Sequence, residues 1–325
     1  MKSAVARVLV LGAFVAAPFV QTNGYWQHVF CVALIGVILA LGLQLLAGMA
    51  GLLSLGQAAF YGIGAYVSAT LTLRFGAPFL VAFIFAGVAA ALCSLLLVPI
   101  VRLPGSSLAV ATLGFNIIIY LVLLNEDWAT GGSFGLMNVP APRIFGYAFA
   151  SERAMYFLCL FVALVVYLAM ERLVHSRFGR ALRAISQDED AARASGISIN
   201  LYKSKCFLVA AFTAGIAGSL YAHQARYINP YDFTFIKSIE ILIMVVVGGL
   251  GSMPGAVIGA LIVVLAPEYL RSSGELRLIL FGALVVVLMG FSRGGVAGLM
   301  PALGRYLMRL RPLHLLKVTT SGERR

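Results

Sequence analysis

Charged side chains are scarce in this sequence. Only 11% of its 325 residues are Asp, Glu, Lys or Arg, against roughly 25% in an ordinary soluble domain. The 66 residues from Val8 to Leu73 contain none. This excludes an ordinary cytosolic enzyme and a disordered chain. Cysteine is scarce as well. Cys31, Cys93, Cys159 and Cys206 each lie in or beside an apolar run, with no CxxC or Cys/His spacing. Neither a disulfide framework nor a metal site is expected, and the four read as small buried hydrophobes. No Gly-x4-Gly-Lys-Ser/Thr occurs, so ATP is not expected to bind this chain through a P-loop. The histidines, His28, His175, His223 and His314, are scattered without a catalytic partner at recognisable spacing. That argues against a membrane-embedded enzyme.

What the chain has instead is apolar length. Hydrophobic residues make up 61% of it, and there are 34 glycines, which suits close helix packing in lipid. The charge-free stretch alone is long enough for about three helical spans of roughly 20 residues each. The expected class is an all-α polytopic membrane protein. Ten apolar segments are expected, near 5–21, 29–47, 54–73, 79–101, 107–125, 154–172, 205–223, 236–251, 254–270 and 276–292. The first, behind Lys2 and Arg7, has the shape of a signal peptide and reads as an uncleaved first span. Between the eighth and ninth, Gly248 to Gly255 is either a tight turn joining two spans or a break in one discontinuous helix.

The net charge of +12 follows loop position and does not suggest nucleic-acid binding. With ten spans and a cytoplasmic N-terminus, 17 Lys and Arg residues fall inside and seven outside. That bias supports an N-in, C-in chain. The transmembrane domain then covers 1–295, and 296–325 is a basic cytoplasmic tail able to lie on anionic lipid. Two long loops interrupt the spans. Loop 126–153 faces outward and carries Trp128, Gly131, Gly132 and Ser133 with Pro140 and Pro142. Loop 172–205 faces the cytoplasm.

The cytoplasmic loop carries most of the information. Ala181, Leu182, Ile185 and Ala192 have helical spacing, and Gln187 to Glu189 is a polar junction. Asp190 to Ser195 reads as a short helix with an acid in its first turn and Gly196 as its stop. Such a small-residue helix, oriented by Arg180, Arg183 and Arg193, suits a groove on a partner. The plainer reading is a solvated basic loop that fixes topology.

Asp190-Ala191-Ala192-x3-Gly196 resembles the Glu-Ala-Ala-x3-Gly loop that docks ABC-transporter permeases on their ATPase. Phe178-Gly179-Arg180-Ala181-Leu182-Arg183-Ala184-Ile185 before it is similar to the LivM-type permease subunits of branched-chain amino acid importers. Gly51 to Tyr66, Ala111 to Phe115, Thr130 to Leu136 and Val247 to Gly255 resemble that family in the same order. The similarity covers roughly 30–295. Asp190 stands where the motif usually has Glu, and Ile-x-Leu-Pro does not follow Gly196, which points to the larger-span importer architecture.

The resemblance implies a non-catalytic transport subunit of a bacterial inner membrane. It implies a coupling loop built on Gly179, Arg180, Arg183, Glu189, Asp190, Ala191, Ala192 and Gly196. ATP and Mg²⁺ would belong to partner ATPase subunits, with no cofactor in this chain. A second related permease and an extracytoplasmic binding protein complete the expected assembly. The implied cargo is leucine, isoleucine and valine, or urea and short amides carried by close relatives.

Polar residues inside the spans are few. Gln57, Tyr61, Thr112 and Asn116 are the pathway candidates, and a sparse apolar passage suits an aliphatic side chain better than a sugar. Glu240 follows Lys237 by three residues, so the two can pair on a helix, near the expected outer end of the eighth segment. An ion-coupled transporter would need a deep acid, and Glu240 is its single mid-chain candidate. The outer loop is either a binding-protein contact or a packed turn.

Overall fold

The charge-free stretch forms the spine of the molecule. In this computed structural model, which describes Pro18, residues 23–273 except 103, 104 and 145, and isolated positions from 276 to 298, Asn23 opens a long helix by accepting from Tyr25 N–H at 3.0 Å. Helix α1 (Gly24–Leu43) continues as a π-helical segment, Gln44–Met49. Together they run 26 residues, about 39 Å at 1.5 Å per residue. The expected first segment, most of the tenth and the basic tail lie outside the described residues.

The remaining helices follow the expected segments closely. They are α2 (Gln57–Arg74), α3 (Phe79–Ser94), α4 (Gly105–Asn125), α5 (Glu152–His175), α6 (Arg177–Gln187), α7 (Glu189–Ala194), α8 (Ile199–Ala225), α9 (Phe235–Gly248) and α10 (Met253–Tyr269). Among the described residues, five helices are long and apolar enough to cross a membrane: α1 with its π segment, α3 with its last turn, α4, α5 and α8. Helix α10 is apolar but shorter.

Small residues decide which helices meet. Helix α8 lies against α2 and α3 on one side and α1 on the other. A Cβ on Gly64 of α2 would sit 2.2 Å from the Gly215 carbonyl oxygen of α8, so the two backbones touch directly, as small residues allow in lipid. Helix α1 is enclosed by α5, α8, α9 and α10. Cys31, Cys159 and Cys206 are buried in this packing as expected, while Cys93 is half-buried.

Residues 248–255 form a tight turn between two helices. Helices α9 and α10 are antiparallel neighbours, and a Cβ on Gly248 or Gly259 would strike the Gly255 or Met244 carbonyl oxygen at 2.2 or 2.0 Å. The discontinuous single helix is therefore not what the chain forms.

Two segments enter the bundle without α-helical structure, the second of them carrying a 3-10 turn at Pro230–Phe233. Residues 50–56 turn back inward, so α2 begins beside the middle of α8, where Gln57 Nε2 donates to Ala210 O at 3.3 Å. Residues 229–234 descend from the other end, burying Phe233 against Tyr61, Tyr66 and Tyr221 at ring distances of 5.1, 5.8 and 6.1 Å. Helix α9 starts only there, and Ser238 Oγ accepts from Ala58 N–H at 2.9 Å.

Candidate functional site

Residues 176–199 form a compact unit at one end of the bundle. Ser176 caps α6 by accepting from Phe178 N–H at 3.1 Å. Asp188 ends α6 in an extended conformation and caps α7 by accepting from Asp190 and Ala191 N–H at 2.9 and 3.0 Å. Gly196, at φ +80°, stops α7, and Ile197 N–H closes the turn on Ala192 O at 3.1 Å, the usual glycine ending of a helix. Ile185, Ala192 and Ile199 share a small apolar core of their own. The expected boundaries of the short helix hold to one residue.

The coupling residues divide by direction. Gly179 packs on α5, where a Cβ would meet Val174 O at 2.2 Å. Arg183 donates to Val174 O at 2.7 Å and Arg180 to His175 O at 3.2 Å, so both arginines satisfy carbonyls that the end of α5 leaves open. Buried Lys203 of α8 donates to Glu189 at 2.5 Å. Asp190, Ala191, Arg193 and Gly196 are exposed, and Ala192 is buried. The outward surface is thus a capped small-residue turn, held from behind by an ion pair and by arginine-to-carbonyl bonds.

The opposite end is a loop held in register. The pairs β1 (Leu136–Met137) with β4 (Tyr227–Ile228) and β2 (Arg143–Ile144) with β3 (Tyr147–Ala148) are antiparallel. His223 joins Pro140 O at 2.7 Å and Ser68 Oγ at 3.0 Å, tying the loop to α8 and α2. Gly131, at φ +75°, ends the turn Asp127–Thr130, and buried Gly132 donates to Thr130 Oγ1 at 3.2 Å. Those two glycines shape the turn. Trp128 and Ser133 are exposed, with the Arg74 guanidinium 5.1 Å from the Trp128 ring.

Between the two ends lies a cavity of about 380 Å³. One wall is apolar: Val32, Ile35, Gly36 and Leu39 of α1, Met244 of α9 and Val264 of α10. The other carries Tyr61, Tyr221, Asp232, Lys237 and Glu240. Lys237 donates to Glu240 at 2.9 Å, the pairing that their spacing predicts. Their depth differs from expectation. The cavity that they line lies against the middle of α1, because residues 229–234 descend before α9 begins.

Residues 26–289 match the family described as the permease component of branched-chain amino acid transport systems. The chain belongs to this family. It is 34% identical over 306 residues to the LivM permease protein of the high-affinity branched-chain amino acid transport system of Escherichia coli, covering 87% of this chain and 72% of that one. It is 30% identical over 176 residues to the LivH permease protein of the same species, 53% of each chain. The Pseudomonas aeruginosa permease protein BraD is 26% identical over 282 residues, 80% of this chain and 91% of that one. The protein is therefore a helical, multi-pass membrane permease and a transport subunit.

Within this permease the four pathway candidates separate. Tyr61 lines the cavity. Thr112 is a tie, accepting from Leu55 N–H at 2.9 Å and donating to Ala109 O at 3.0 Å. Gln57 is buried beside Ala210, with Oε1 unpartnered among the described residues. Asn116 is fully buried and both its amide atoms are unpartnered among those residues. Asp232 escaped the sequence reading because it stands in a short loop, where nothing in the spacing marks it as facing inward.

Proposed function

We propose that this permease is one membrane subunit of an ATP-driven importer that carries leucine, isoleucine and valine into a bacterial cell across the inner membrane. Its spans number ten, with both termini and residues 176–197 cytoplasmic. ATPase subunits dock on that loop and hold the ATP and Mg²⁺. A second, related permease completes the translocation unit, in keeping with similarity to both LivM and LivH. A binding protein delivers cargo to the face that carries Trp128 and Ser133.

The observation that carries this reading is the unit at 176–199. Its exposed turn, Asp190-Ala191 to Gly196, is capped at both ends and braced to α5 and α8. A push on it therefore reaches two long helices without first being absorbed by loop flexibility. Substrate moves by alternating access, with the partners' differential affinity for two states supplying the bias.

The test is co-purification in mild detergent, wild type beside Asp190→Arg and Gly196→Pro. Wild type is expected to bring down a P-loop ATPase and a second permease. Both variants are expected to lose the ATPase and keep the permease. Full retention of the ATPase by both variants would show that the loop is only a topological anchor.

A further inference from the structure

We propose that the cavity between α1, α9 and α10 is a transit site for one zwitterionic amino acid. Lys237 takes its carboxylate, Glu240 and Asp232 take its ammonium, and the α1 wall takes its side chain. This deepens the importer reading and rests on it.

Three charged side chains surround one cavity in a chain that is only 11% charged. Ionisable groups within a membrane bundle are costly, and they mark substrate or ion paths; here all three are half-buried and open to the cavity. The cavity's two walls differ in kind. Val32, Ile35, Leu39, Met244 and Val264 offer no hydrogen bond, while the facing wall offers charges of both signs. A free amino acid with an aliphatic side chain has the same two-sided chemistry. A sugar would leave hydroxyls against the apolar wall, and an inorganic ion would leave that wall unused. The volume of about 380 Å³ is at the small end of ligand sites, which run from roughly 300 to 1,000 Å³. It fits one amino acid better than a peptide.

Lys237 and Glu240 already hold each other at 2.9 Å. Each is thus compensated before substrate arrives, and an incoming zwitterion exchanges one ion pair for two of the same kind. Asp232 is positioned by its place in the turn that caps Pro230–Phe233, where it accepts from Asn229 N–H at 3.2 Å. That turn, anchored by buried Pro230 and Phe233, places the acid at the mouth of α9. The exchange keeps binding weak enough for release, as a transit site requires.

The experiment uses the intact transporter, purified with its co-purifying subunits and reconstituted in vesicles loaded with ATP, with its binding protein outside. Radiolabelled leucine uptake is measured for wild type, Lys237→Met, Lys237→Arg, Glu240→Gln and Ile35→Ala. Competition uses 3-methylbutan-1-amine, which is leucine without its carboxylate, and 4-methylpentanoate, which is leucine without its ammonium.

Lys237→Met is expected to lower uptake about tenfold, the loss of one charge-assisted contact, with ATPase co-purification unchanged. Lys237→Arg is expected to restore at least a third of it. In Lys237→Met the amine should compete nearly as well as leucine, and in Glu240→Gln the carboxylate analogue should gain likewise. Ile35→Ala should raise phenylalanine uptake relative to leucine, and it decides the matter if Lys237→Met proves unstable. Wild-type uptake and unchanged ligand preference in Lys237→Met, Glu240→Gln and Ile35→Ala would overturn the site and leave the pair a structural brace. Absence of leucine uptake by wild type would overturn the importer reading itself, and the site with it.

Discussion

Lys203 and Glu189 join the outermost helix of the loop unit to a helix that runs the length of the bundle. Lys203 is buried and Glu189 is half exposed, and their side chains meet at 2.5 Å. The asymmetry has a consequence. Removing the acid strands a buried ammonium, whereas removing the lysine leaves a carboxylate that water can reach. Glu189→Ala is expected to cost about 2 kcal/mol, and Lys203→Met less than half of that. The double variant should behave like Lys203→Met. Thermal unfolding of the three variants in detergent checks the order, and equal losses for both single variants would contradict it.

The cap on α7 makes a second prediction. Asp188 holds two N–H groups that otherwise have no partner, and loss of such a cap costs about 1 kcal/mol. A turn that must be ordered before it docks transmits that cost to binding. Asp188→Ala should therefore weaken ATPase association roughly fivefold, while Asp188→Asn, which keeps the acceptor, should stay near wild type. Titration of purified ATPase onto the permease gives both numbers. Equal affinity for wild type and Asp188→Ala would mean that the turn does not need its cap to dock.

Much of this unit is legible before any coordinates, because its signals are local. Asp190 in the first turn, Gly196 as a stop and the spacing of Leu182, Ile185 and Ala192 act within one or two turns, whereas the caps Ser176 and Asp188 show only in the fold. The spans are legible for the same reason, since apolar length alone marks them. Depth is not legible. A run of apolar residues near 54–73 says that a helix is there, but not that α2 begins beside the middle of α8 and leaves residues 50–56 inside the bundle. Lys237 and Glu240 read as a shallow pair on that account. Asp232 and Tyr61, which line the same cavity, come from a descending loop and a second helix, and no helical spacing along the chain connects either with that pair.

Close backbone approach gives a prediction with an internal control. Gly64 faces the Gly215 carbonyl oxygen across 2.2 Å from an added Cβ, while Gly114 on α4 has nothing within 4 Å. Gly64→Ala must separate α2 from α8, and overpacking of this kind costs about 1 to 3 kcal/mol. Gly114→Ala should be neutral or mildly stabilising, since alanine is the better helix former. The yield of monodisperse protein on size-exclusion chromatography should fall for the first and hold for the second.

Asn116 separates stability from transport. Its amide is fully buried on α4, one turn from Thr112, and neither polar atom has a partner among the described residues. An unpaired buried amide costs about 1 to 3 kcal/mol, so an apolar replacement of similar size relieves a penalty. Asn116→Leu is therefore expected to raise the unfolding temperature of the isolated permease. If the amide serves the passage of a polar backbone through an otherwise apolar bundle, the same variant must slow leucine uptake by the assembled transporter, and Asn116→Gln must retain more of it than Asn116→Leu. A more stable permease with slower uptake would assign the amide to the pathway. Higher stability with uptake unchanged would place Asn116 outside the pathway, as a buried amide that only costs stability.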